Sequence, residues 1–205
     1  MKLRLLIFII VFVNTEFYSQ DSNSTKKPVF NKSNLEFNFT QNTASLLTPS
    51  LRVIHPGING TLSTQWNKNN KLQLRQDFIA GFFYHKSFQS VIQLYSELNF
   101  KIKVIDRFYF SPLVIGGGYF MSFLNMQSFY LDGNQYVSRP ITMKSNWVIS
   151  LGSNLELPTN FKLFNNTLSI TAKYRIQVQG VIVRYNVPII AYSPIMLGIS
   201  LPINK

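Results

Sequence analysis

The sequence has no cysteine, which excludes a disulfide framework, a thiolate metal centre and lipid attachment through an N-terminal cysteine. Histidine is nearly as scarce. His55 and His85 are the only two, neither has a second His or Cys at ligand spacing, and no metal site is expected. The eight acidic residues are scattered rather than paired. Charged residues make up only 14% of the chain, against roughly 25% in an ordinary soluble domain. No window beyond residue 20 approaches 18 consecutive apolar residues, so a membrane span, if there is one, is not helical. Gly116-Gly117-Gly118 is not followed by Lys-Ser or Lys-Thr and starts no helix, so it is not a phosphate loop. No cofactor is expected, and no catalytic residue is assigned.

Apolar and aromatic residues are plentiful, at 46% and 15%, with eighteen Phe and ten Tyr. The first segment is the most easily read. Met1-Lys2-Leu3-Arg4 precedes an apolar run over 5–13, then a polar stretch to Tyr18-Ser19-Gln20. Basic start, short apolar middle and a small residue near the end make up a secretory signal peptide. Residues 1–20 are read as that peptide, cleaved near Ser19 or Gln20. Its removal leaves the mature chain strongly basic, since the whole sequence carries +12. In an exported bacterial chain such charge suits anionic lipid headgroups and lipopolysaccharide phosphates rather than nucleic acid.

Residues 21–33 show no apolar period and read as a flexible lead-in to a domain over 34–205. In that domain the hydrophobic pattern has period two, the signature of strands whose successive side chains point to opposite faces. Over 167–179, Leu168, Ile170, Ala172, Tyr174, Ile176 and Val178 alternate with Thr, Ser, Lys, Arg and Gln. The same pattern recurs over 92–104, 72–84 and 147–157. Further strands are expected over 35–39 and onward, 54–66, 108–123 and 190–203, with His55-Pro56-Gly57 marking a bulge or a strand end. The three glycines in the fifth segment predict a bend or close packing against interior side chains.

About eight strands, several long enough to cross a bilayer at a tilt, predict an all-β fold: a closed antiparallel transmembrane β-barrel. With the N-terminus on the periplasmic side, odd-numbered connections face outward and are expected to be the longer ones. Residues 124–144 and 180–189 fit, whereas the third connection, at residues 86–89, is short.

The segments Gly81-Phe82-Phe83-Tyr84-His85-Lys86, Leu94-Tyr95-Ser96-Glu97-Leu98 and the ending Leu197-Gly198-Ile199-Ser200-Leu201-Pro202-Ile203 resemble small outer-membrane β-barrel proteins of the type common in Bacteroidota. The resemblance covers residues 50–203 and implies a barrel in the cell outer membrane, inserted by the barrel insertion machinery, with no catalytic residues to carry over. Where that family's familiar ending is a terminal aromatic, this chain closes on Ile203-Asn204-Lys205.

Alternation does not say which face points inward. A membrane barrel puts Arg75, Lys101, Lys103, Lys173 and Arg175 inside, to pair with Asp77, Glu97 and Glu156, and leaves no open general pore, because eight strands enclose a bore that side chains fill. A secreted lipocalin-like ligand-binding barrel would reverse the faces. The favoured function is a non-enzymatic surface barrel, a monomer whose loops contact a partner or support membrane integrity. The enzymatic alternative is a lipid-modifying hydrolase of the lipid A deacylase kind, built on His85 and Ser87 with Glu97. Trp66, Trp147, Tyr84, Tyr174 and Tyr192 lie near expected strand ends, where rings suit the headgroup layer.

Overall fold

A computed structural model describes residues 32–44, 55–86, 89–105, 107–124, 128–139, 143–163, 166–181 and 189–203. Residues 1–20, read from the sequence as a signal peptide, and residues 21–31 of the expected lead-in lie outside them. Every regular element among the described residues is a strand: β1 (Lys32–Gln41), β2 (Pro56–Gln65), β3 (Leu72–Tyr84), β4 (Gln89–Ile105), β5 (Phe108–Leu124), β6 (Ser128–Asp132), β7 (Gln135–Arg139), β8 (Met143–Leu163), β9 (Asn166–Val181), β10 (Ile190–Tyr192) and β11 (Ile195–Ile203).

The main sheet runs antiparallel from β1 through β2, β3, β4 and β5 to β8 and β9, and closes because β11 pairs with both β9 and β1. β10 also pairs with β9, so β10 and β11 are two parts of one last stave, interrupted at Ser193-Pro194. The ring therefore has eight staves. From Arg75, stepping across paired strands leads through Asn99, Val114, Gly152 and Arg175 to Pro194, Asn42 and His55. The path meets β3 again at the level of His85, about ten residues from its start, a stagger that tilted strands need to close a barrel.

Three prolines fall where the ladder starts or is already broken. Pro56 is the first residue of β2, Pro112 lies in the register shift between Ser111 and Val114, and Pro158 borders the shift before Lys162. Lacking an N–H, Pro is tolerated at strand starts and bulges.

Two expectations about connections are corrected. Residues 124–144 are not a plain loop: β6 and β7 form a separate hairpin, turning at Gly133 with φ of 61°. Gly133-Asn134 is the two-residue turn between the paired Asp132 and Gln135, and glycine takes the positive φ of the first turn position without cost. The first connection, residues 42–55, is longer than the seventh at 182–189, although the sequence reading ranked only the fifth and seventh as long. Long connections thus fall on one end of the barrel and short turns at 66–71, 106–107 and 164–165 on the other. The third connection, at 85–88, is short as expected.

Candidate functional site: the filled lumen and the outer rim

Burial settles the faces. On β9, Thr171, Lys173, Arg175, Gln177 and Gln179 are buried while Ile170 is 50% exposed. β3 and β4 repeat this, with Gln73, Arg75, Asp77, Gln93, Glu97, Asn99 and Lys101 buried and Phe78, Phe82, Ile92, Leu94, Phe100 and Ile102 exposed. Polar groups inside and hydrocarbon outside reverse the lipocalin arrangement and are what a lipid solvent requires. Closure matters equally, because an open edge would leave backbone groups unsatisfied in lipid. The chain is a transmembrane barrel.

Among the described residues, three ion pairs cross the bore. Arg175 grips Glu97 with two bonds, Nε to Oε1 at 2.9 Å and Nη2 to Oε2 at 2.8 Å, and Ser150 Oγ donates to the same carboxylate at 2.7 Å. Lys173 binds Glu36, and Lys101 binds Glu156. In so confined a space a charge without a partner would be costly, and paired charges with further hydrogen bonds are tolerated. The expected pairing holds for Glu97 and Glu156 and is corrected for Asp77, which accepts from Ser63 Oγ at 2.6 Å and Asn99 Nδ2 at 3.0 Å. Glu36, which the sequence reading did not place in the bore, is the acid that takes Lys173. Lys103 lies at the short-turn end and is half-buried.

Glycines make room for this layer. A Cβ on Gly116 would come 2.5 Å from Glu97 Cγ, and one on Gly152 would come 2.6 Å from Arg175 Cδ. One on Gly118 would come 2.5 Å from Tyr95 Cβ. The glycine run is therefore close packing against interior side chains, one of the two roles the sequence suggested.

Above the ion pairs, toward the long-loop end, the lumen turns apolar. Ile79, Phe83, Val91, Tyr95, Phe120, Val148 and Tyr192 form one buried cluster. Phe83 meets Phe120 and Tyr192 edge to face at centroid distances of 6.1 and 5.4 Å, a favoured arrangement of ring quadrupoles. Gln89 Nε2 donates to Tyr192 Oη and, at 3.1 Å, to Gln179 Oε1. Tyr192 is thus a lumen residue rather than a headgroup aromatic, and Tyr174 sits in the middle of β9. Tyr84, 42% exposed at the end of β3, has the position expected of such an aromatic.

At the long-loop rim His55 and His85 stack, with ring centroids 3.6 Å apart and planes 16° apart. The backbone holds them there: Asn42 N–H donates to His55 O, and His85 N–H to Gln89 O. Burial lowers the pKa of both rings, and for His85 the neighbouring His55 pushes further the same way. Near neutral pH the stack is one of uncharged rings. No group of three or more metal-ligating side chains occurs among the described residues.

This geometry does not assemble the hydrolytic alternative. His85 is level with Gln89, whereas Glu97 lies eight residues down β4, about 26 Å away at about 3.3 Å per residue, with both oxygens engaged by Arg175. Ser87 lies outside the described residues.

No family model matches the sequence, and no curated protein matches it. Solved structures with a similar course of chain include Ail, the attachment invasion locus protein of Yersinia pestis, at 15% identity and TM-score 0.44, covering 84% of this chain and 98% of that one. Neisserial surface protein A is similar at 10% identity and TM-score 0.44, with coverage of 83% and 95%. The N-terminal β-barrel domain of Pseudomonas aeruginosa OprF follows at 10% identity and TM-score 0.40, with coverage of 85% and 98%. The fold assignment rests on the closed strand ring and its buried charges, not on these likenesses.

The apolar lumen cluster is the feature that sequence reasoning missed. The signal was present as doubled apolar residues near the long-loop end of several strands: Phe82-Phe83, Val91-Ile92, Tyr119-Phe120-Met121 and Trp147-Val148-Ile149. In an alternating strand, one of each pair must point inward.

Proposed function

We propose that this chain is an exported, non-enzymatic protein of the cell outer membrane, acting through its outer loops in partner contact or in membrane integrity. The observation that carries the reading is the filled bore. Among the described residues, ion pairs occupy its middle and lower part and an aromatic plug its outer part, which leaves little room for an open bore. An eight-stave barrel offers little space beyond what side chains take up. Residues 1–20 serve as signal peptide and the residues between them and β1 as lead-in, and the barrel is inserted by the insertion machinery as a monomer, since one chain closes the ring. Its natural surroundings are phospholipid and lipopolysaccharide, with no role for nucleic acid. The connections from β1 to β2, from β5 to β8, which carries the β6–β7 hairpin, and from β9 to β10 all leave the same end of the barrel. There Tyr136 is 78% exposed. These loops are the surface available to a partner.

Two measurements test this. The folded protein is expected to fractionate with outer membranes and to show heat-modifiable mobility on a gel; recovery as a soluble periplasmic monomer would contradict the location. In a planar bilayer the purified barrel is expected to give no sustained large-conductance steps at low voltage. Conductance like that of a water-filled porin would contradict the closed bore.

A further inference from the structure

The inward charges balance. Arg75, Lys101, Lys173 and Arg175 face Glu36, Asp77, Glu97 and Glu156, all buried or nearly so, so the strong positive charge of the chain is carried elsewhere. Much of it circles the short-turn end. Lys32 opens β1, Lys68 and Lys71 lie between β2 and β3, Arg107 lies between β4 and β5, and Lys162 is in the last turnward residues of β8. All five are exposed. They belong to four separate places around the ring, so they surround the barrel rather than mark one side of it.

Acid is sparse at this level. Among the described residues, Glu156 lies opposite Tyr109, two residues from Arg107, and Glu36 four residues from Lys32, and both are already bound, to Lys101 and Lys173; Asp106, beside Arg107 in sequence, lies outside them. Exposed apolar side chains begin at the same height: Leu72, Ile105, Leu157, Phe161 and Ile203, with Phe161 at 78% exposure and Ile105 at 69%. At the opposite end the charges whose side chains are described are Lys86, the half-buried Lys144 and the acidic Asp132, fewer and of mixed sign. A ring of long cationic side chains at the lower edge of an apolar belt is placed to lay its stems on hydrocarbon and its charges among phosphates.

We propose that the short-turn rim is a binding surface for anionic glycerophospholipid headgroups, with Lys32, Lys68, Lys71, Arg107 and Lys162 each donating to phosphate oxygens. Short turns of such barrels face the periplasm, where the leaflet is built of glycerophospholipid. The inference rests on the membrane reading above and adds to it a leaflet, a headgroup class and five residues.

The test uses the mature barrel in nanodiscs of equimolar phosphatidylcholine and phosphatidylglycerol. Lipids retained on release are counted by native mass spectrometry. Wild type is expected to retain phosphatidylglycerol over phosphatidylcholine by about threefold or more. The five-site variant K32Q/K68Q/K71Q/R107Q/K162Q should fall to the bulk ratio, and K86Q, at the other end, should keep the wild-type preference. Equal retention of the two lipids by wild type, or an undiminished preference in the five-site variant, would overturn the proposal. If the five-site variant does not fold, K68Q/K71Q takes its place, and an unchanged preference there counts against the rim. Failure of wild type to insert into phosphatidylcholine alone would instead defeat the membrane reading itself.

Discussion

Arg175→Ala is expected to destabilise the barrel by about 3–5 kcal/mol, because it leaves the Glu97 carboxylate buried beside only Ser150 and distant charges. Arg175 is fully buried and its guanidinium also donates to the backbone oxygens of Ser153 and Tyr174, both at 2.9 Å. Truncation therefore strands two backbone acceptors as well as a charge. The urea midpoint of the barrel refolded in vesicles reads the effect. Glu97→Leu combined with Arg175→Met should recover most of the loss, since replacing a buried pair by apolar groups of similar size is often neutral. Lys68→Ala on the rim should change stability by less than about 0.5 kcal/mol. A small loss in Arg175→Ala would mean that water reaches Glu97, and the filled bore would have to be abandoned.

The second large effect lies on the outer face. Leu151 is 46% exposed near the middle of β8, between Ile115 of β5 and Ile176 of β9. Leu151→Arg should cost about 2–4 kcal/mol if that face meets the centre of a bilayer, and Ile203→Arg, at the short-turn end, about 0–1. Ile170→Arg lies between them in depth and should lie between them in cost. A flat profile across the three would indicate that the apolar face is not in lipid. Thr171→Arg is no neutral control, because Thr171 is buried with its hydroxyl 3.2 Å from Asn38 Oδ1, and a larger side chain there would overpack the bore.

The staves themselves were largely legible. Period-two alternation placed β3, β4, β8 and β9 and divided each into an apolar and a polar face, because lipid and a packed polar lumen impose opposite demands on successive residues; the outward face followed from strand length and from the opposite charges that could pair inside. Glu97 and Glu156 were recognisable as lumen acids for the same reason. Partner choice was not legible. Which cation reaches which acid depends on the stagger around the ring, which brings Lys173 of β9 against Glu36 of β1 and leaves Asp77 to neutral donors. The aromatic plug was hidden differently: Phe83, Phe120 and Tyr192 add to the apolar count without revealing their side of the sheet. The His55 and His85 stack follows instead from the β2–β3 hairpin: Gly57 pairs with Phe83, so two residues further along the same ladder His55 comes opposite His85, although the two are 30 apart in sequence.

The most direct test of the inside-out barrel is a spin-label scan along β9. With no native cysteine, single cysteines from 168 to 178 can each be labelled without background, and the barrel reconstituted in vesicles. Collisions with lipid-soluble oxygen should rise and fall with period two, highest at Ile170, Ala172, Tyr174 and Ile176 and lowest at Thr171, Lys173 and Arg175. Maxima on the polar set, or no alternation at all, would contradict a closed barrel with its charges inside and its apolar face in lipid.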